Sequence, residues 1–117
     1  MPYKQRDVVF VEMPLPTGEV ERHPFLIISC RAASNMEKDN YHTAIMMTGS
    51  KQKDKFSFPV EDSMFEGPLK KQNCQLRLYI IVSFPESKVQ ELLTRMKPVH
   101  FKAVLQQIKE YVLVIDT

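Results

Sequence analysis

Three groups of residues in this sequence could do chemistry. Arg22-His23 ends a polar stretch just before an apolar run. Thr48-Gly49-Ser50 ends another apolar run and leads into Lys51-Gln52-Lys53-Asp54-Lys55. Gln75 and Arg77 alternate with Cys74, Leu76 and Leu78. These residue types suit a phosphodiester. Cutting or gripping one needs a base, an acid, and cations to meet the charge that builds on phosphorus. Arginine holds two phosphate oxygens at once, and histidine moves protons near neutral pH. Hydroxyls and backbone amides at a strand end can meet the non-bridging oxygens. The same residues also fit a plainer role, with Arg22 and Arg77 as solvated surface groups and Thr48 as a strand end.

Other chemistries are excluded. No GxGxxG, Walker, HExxH or GxSxG motif is present, and three glycines are too few for a glycine-rich phosphate cradle. His23, His42 and His100 lack metal-ligand spacing, so no metal and no cofactor is expected. Cys30 and Cys74 sit in apolar stretches and read as buried thiols rather than a disulfide framework. A net charge of +2 does not announce nucleic-acid binding, but Lys51–Lys55 and Lys70-Lys71 with Arg77 form local basic patches on a near-neutral chain. At 117 residues, 44% hydrophobic and 26% charged, the chain reads as one globular domain over residues 1–117. Its apolar runs are too short for a membrane span, and residues 1–7 show no signal peptide, so a soluble cytoplasmic protein is expected.

Short β-type runs must position these residues. Residues 8–11 predict a strand, followed by a long loop from Pro14 to Arg22. Residues 25–30 predict a strand covered on both faces, and 41–48 a third. Residues 56–60 alternate, with Pro59 demoting them to an edge. Residues 73–79 predict a half-buried strand with Asn73, Gln75, Arg77 and Tyr79 on its polar face, and 80–82 extend it or begin its neighbour. Residues 87–96 fit a helix or a short strand. Residues 98–112 predict a helix whose stripe is Phe101, Val104, Leu105, Ile108 and Val112. Crowded short strands followed by one helix argue for a small antiparallel barrel.

An ordered set of segments carries a family likeness. Asp7-Val8-Val9-Phe10-Val11 looks like an opening strand that glycine usually precedes, with Arg6 in that place here. His23-Pro24-Phe25-Leu26-Ile27-Ile28-Ser29 looks like Arg-Pro-Ala-hydrophobic-hydrophobic-hydrophobic-Ser. Ile45-Met46-Met47-Thr48-Gly49-Ser50, Phe58-Pro59-Val60, Gly67-Pro68-Leu69 and Gln72-Asn73-Cys74-Gln75-Leu76-Arg77 follow in the expected order, and Leu93-Thr94-Arg95-Met96 precedes the last helix. The chain resembles the MazF/PemK (Kid-like) toxins of bacterial type II toxin–antitoxin modules. The resemblance implies a compact SH3-like antiparallel β-barrel with a C-terminal helix, forming a homodimer. It implies a metal-independent endoribonuclease that cuts single-stranded mRNA by attack of the ribose 2′-hydroxyl on the adjacent phosphate, and a cognate antitoxin peptide that covers the RNA face. His23 stands in the place of the hallmark arginine, with Arg22 one residue away, and the later arginine and aspartate fall on Gln75 and Arg77. The implied catalytic residues are Arg22, His23 and Thr48; the implied RNA contacts are Ser50, Lys51, Lys53, Gln75 and Arg77. A non-catalytic RNA- or peptide-binding module of the same fold is the alternative.

Overall fold

The structure, a computed structural model, describes residues 3–14, 18, 20–49, 53–69 and 74–116. Strands β1 (Asp7–Pro14), β2 (Val20–Ile27), β3 (Tyr41–Thr48), β4 (Ser57–Pro59), β5 (Gln75–Pro85) and β6 (Val89–Arg95) form one six-stranded sheet in the order β4-β5-β3-β2-β1-β6. Every ladder is antiparallel. A single turn of helix, α1 (Arg31–Ser34), bridges β2 and β3, and α2 (Pro98–Gln107) follows β6.

The expected barrel is a curled but open sheet. β4 and β6 are its edges. The chain after each edge closes the curl: Phe65 bridges Met96, Glu66 N–H donates to the Arg95 carbonyl at 2.8 Å, and Lys97 N–H donates to that of Met64 at 2.8 Å. Pro59 does sit on an edge strand, where a missing N–H leaves no ladder unpaired.

One face of the sheet packs Val8, Leu26, Ile45, Met47, Leu76 and Leu78 against Phe101, Val104 and Ile108 of α2 and its continuation. The other packs Val9, Val11, Phe25, Ile27, Ala44 and Phe84. Alternation along β1 and β2 divides these two sets, because successive side chains point to opposite faces. Pro98 opens α2 in its first turn, where its absent N–H would have had no partner. The helix widens into a π turn over Ile108–Val112, closed by Leu113 N–H to the Ile108 carbonyl at 2.9 Å. Leu105 was expected in the buried stripe but is 38% exposed. The stripe that docks is Phe101–Val104–Ile108, and Leu105 lies about 100° round the helix from Val104.

Other elements differ from expectation. Residues 87–96 resolve as strand: a 3-10 turn at Glu86–Lys88 leads into β6, which pairs with β1. Residues 80–82 extend β5 rather than starting a neighbour. The two ends of the loop expected from Pro14 to Arg22 are strand: β1 reaches Pro14 and β2 starts at Val20, paired residue by residue. The backbone ladder to β1 holds through the charged residues whose side chains reach solvent. Cys74 is buried as expected, but Cys30 is exposed, because the apolar strand ends at Ile27 and Cys30 caps α1.

Arg6, in the place where glycine is usual for the family, has a φ of 79°. That left-handed conformation is free for glycine and costs about 1–2 kcal/mol for another residue. The neighbourhood holds it: Arg6 N–H donates to the Ile27 carbonyl at 2.9 Å, and its guanidinium donates to the Met96 carbonyl at 2.8 Å. A second polar knot ties α1 to β3 and the start of β6. The fully buried His42 ring contacts Ser34 Oγ through Nδ1 and Glu86 Oε1 through Nε2, each at 3.2 Å.

Candidate active-site cleft

The β2–β3 ladder is short. It pairs Ile27 with Ala44, Leu26 with Ile45 and Phe25 with Met46, and there it stops. Beyond that pair, β2 stays on β1 while Met47 and Thr48 of β3 pair with Leu76 and Gln75 of β5. The two strands part, and the gap between them is a cleft of about 230 Å³. Extending the lost register would set His23 against Thr48 and Arg22 against Gly49. These four residues line the cleft, together with Glu21, Pro24, Met47 and Cys74. Pro24 lies just outside the β2–β3 ladder, which begins at Phe25, so its missing N–H interrupts no bond there.

Arg22 and His23 are neighbours in a strand, so their side chains leave opposite faces of the sheet. The exposed Arg22 guanidinium lies 4.9 Å from the centre of the Phe10 ring, a cation–π contact. His23 meets Phe25 edge to face at 6.5 Å. The cleft runs between two separated strands rather than over one face, and both residues line it.

The sequence reading missed Glu21. Its Oε2 lies 3.0 Å from His23 Nε2. Glu21 and His23 stand two apart on one strand, so they share a face; the signal was hidden by starting the strand at Phe25 instead of Val20. A carboxylate on Nε2 helps orient the imidazole ring. The cleft thus holds a planar cation, a carboxylate–imidazole pair and a hydroxyl at a strand end.

Gln75 and Arg77 are not brought to this cleft. Both are buried, 4% and 5% exposed, so the part of the expected β5 polar face that they form is covered. Beside them in the sheet lies β4, which pairs Ser57 with Arg77 and Pro59 with Gln75, and its side chains and those of the turn before it meet Arg77. Arg77 donates to Ser57 Oγ and, at 3.1 Å, to the Tyr79 hydroxyl, and it sits 3.5 Å from Asp54 Oδ2. A period of two shows which residues share a face, not whether another element covers it. Gln75 lies opposite Thr48, and its Nε2 is buried without a hydrogen-bond partner among the described residues. Lys53 is exposed. Ser50, Lys51 and Asn73 lie outside the described residues.

Asp54 anchors that turn. Burial pushes its carboxyl up, but the Phe56 N–H, the Ser57 hydroxyl and the Arg77 guanidinium outweigh that and hold it below the usual carboxylate range. A carboxyl lowered in the folded state stabilises fully above its unfolded pKa, and that contribution disappears as the pH falls through the folded value. Asp54→Asn is therefore expected to be less stable than the parent at neutral pH. The two should converge in strong acid. Denaturant midpoints across that range check this, and a deficit that is independent of pH contradicts it.

A model of the family described as "PemK-like, MazF-like toxin of type II toxin-antitoxin system" matches residues 4–112. No curated protein sequence matches the chain. Solved structures share the fold at low identity. An endoribonuclease in complex with its cognate antitoxin, from a mycobacterial species, is 11% identical with a TM-score of 0.73 over 97% of this chain and 99% of that one. MazE–MazF from Deinococcus radiodurans is 14% identical with a TM-score of 0.70, covering 94% and 95%. The Mycobacterium tuberculosis toxin MazF-mt6 is 12% identical with a TM-score of 0.66, covering 90% and 94%. With a family match over nearly its whole length and the same fold as these toxins, the chain belongs to the PemK-like, MazF-like toxins of type II toxin–antitoxin systems.

Proposed function

We propose that the chain is an endoribonuclease that cuts single-stranded RNA in the cleft between β2 and β3. The observation that carries this reading is the meeting of Arg22, His23 and Thr48, from two strands, in one cleft. The ribose 2′-oxygen attacks the adjacent phosphorus while His23 Nδ1, with Glu21 on the other nitrogen, takes its proton. The Arg22 guanidinium and the Thr48 hydroxyl hold the non-bridging oxygens as charge builds on them. The bond from phosphorus to the 5′-oxygen breaks, that oxygen takes a proton from solvent at the mouth of the cleft, and a 2′,3′-cyclic phosphate remains. The attacking group belongs to the substrate and the charges are met by side chains, so the reaction is assigned no metal.

The protein works as a single domain over residues 1–117, as a homodimer in the cytoplasm. Its cognate antitoxin peptide covers the RNA face. Support for the antitoxin comes from the family and from the related toxins solved with MazE or with a cognate antitoxin. Among the described residues, no helix is long and apolar enough to cross a membrane.

A defined single-stranded RNA incubated with the protein, with and without chelator, tests this. Cleavage that survives chelator, leaves cyclic-phosphate ends and stops when the sugar at the cut is 2′-deoxy is the expected result. RNA that stays intact at high protein concentration ends the reading.

A further inference from the structure

The first half of β5 carries a second recess. Gln75, Arg77 and Tyr79 share one side of the strand over about 13 Å, starting opposite Thr48. Gln75 and Arg77 are buried, yet Tyr79 is 53% exposed. Its ring meets Phe56 edge to face with centroids 6.2 Å apart, and Phe56, Arg77 and Tyr79 line an open recess of about 290 Å³. Tyr79 is held from behind: Arg77 lies 4.8 Å from its ring centre and donates to its hydroxyl. Two lysines stand on the turn that carries Phe56. Lys55 Nζ stands 5.5 Å from the centre of Phe56 and 5.9 Å from that of Tyr111, and Lys53 is exposed on the same turn.

Two fixed aromatic walls with ammonium groups beside them suit a flat π-system attached to an anion. An aliphatic segment would gain nothing from the cations, and an acidic one nothing from the flat walls. A nucleobase on its sugar-phosphate uses both, since stacking on aromatic rings and backbone contact with cations are how unpaired bases are held. We infer that the Phe56–Tyr79 recess takes one unpaired base of the RNA chain cut at Thr48 and so helps set where that chain is cut. The inference rests on the endoribonuclease reading. β5 supplies the physical link, because it carries both the residue opposite Thr48 and the ring that stacks the base.

The test uses the RNA found to be cut, made as a labelled 2′-O-methyl oligonucleotide that lacks the attacking hydroxyl, and reads affinity by fluorescence anisotropy. Tyr79→Leu and Phe56→Leu should each weaken binding by about 5- to 150-fold, and Tyr79→Phe should bind within a few-fold of the parent. In a series with one abasic position at a time, the parent should lose affinity sharply at one position, and Tyr79→Leu should lose nothing further there. Thermal midpoints separate this from unfolding: a loss of affinity that only follows a loss of stability overturns the inference. Unchanged affinity in both leucine variants also overturns it and leaves the nuclease standing. RNA binding kept while antitoxin binding is lost assigns the recess to the peptide instead. A parent that neither cuts nor binds any RNA removes both readings together.

Discussion

RNA cleavage by Arg22→Ala is expected to fall by about 10²–10³-fold, the usual consequence of losing a preorganised charge partner of a transition state. The fold should persist. Arg22 is exposed and its contacts are with the Phe10 ring and solvent, so its removal falls among surface substitutions worth only a fraction of a kcal/mol. Arg22→Lys keeps a positive charge but loses the planar fork, and should recover only part of the rate. Thr48→Ala should lower the rate as well, and His23→Ala by about 10²–10⁴-fold through loss of proton transfer. Single-turnover cleavage of a defined RNA measures all four. Parental rates in both Arg22→Ala and Thr48→Ala would show that the β2–β3 cleft is not where cutting happens.

The largest stability effect should come from Phe101→Ala, at about 3–5 kcal/mol. Phe101 is 5% exposed and packs with Val104 and Ile108 into the core formed by Val8, Leu26, Met47 and Leu76. Truncation removes the apolar surface of a whole ring and leaves a cavity that the surrounding strands cannot collapse to fill. The thermal midpoint should drop by roughly 10–25 °C. Leu105→Ala on the same helix should move it little, because Leu105 lies outside the docked stripe. Equal effects from the two substitutions would mean that α2 is not docked on this face.

The contrast between Phe101 and Leu105 marks how far a local pattern reaches. The helix, its starting proline and three of its core residues were legible from a 3.6-residue period. So was β3, whose limits at Tyr41 and Thr48 are those expected, and so was the edge position of Pro59. Their information lies within a few residues along the chain. Residues 87–96 fitted a helix or a short strand, and pairing with β1 selected the strand.

The candidate residues were legible as types but not as an arrangement. Arg22 and His23 looked like the end of a loop because Pro14, Pro16, Gly18 and the charges around them break an apolar pattern. β1 nevertheless supplies a complete ladder of partners through Val20, and backbone pairing does not require apolar side chains. Arg77 looked solvent-facing because it alternates with leucines. Burial needed an ion partner, Asp54, and a neighbouring strand, β4, both from about twenty residues earlier.

Composition and periodicity alone established a mostly β chain with one docked helix, a core of alternating aliphatic residues, and a supply of cations, imidazole and hydroxyls without metal-ligand spacing. Only the folded chain decided that β2 and β3 part beyond Phe25 and Met46, which makes the gap where Arg22, His23, Glu21 and Thr48 meet. The reason is physical. Side-chain periods are set by local backbone geometry, whereas the point at which two strands separate depends on the competing ladders with β1 and β5, contacts that no short stretch of sequence contains.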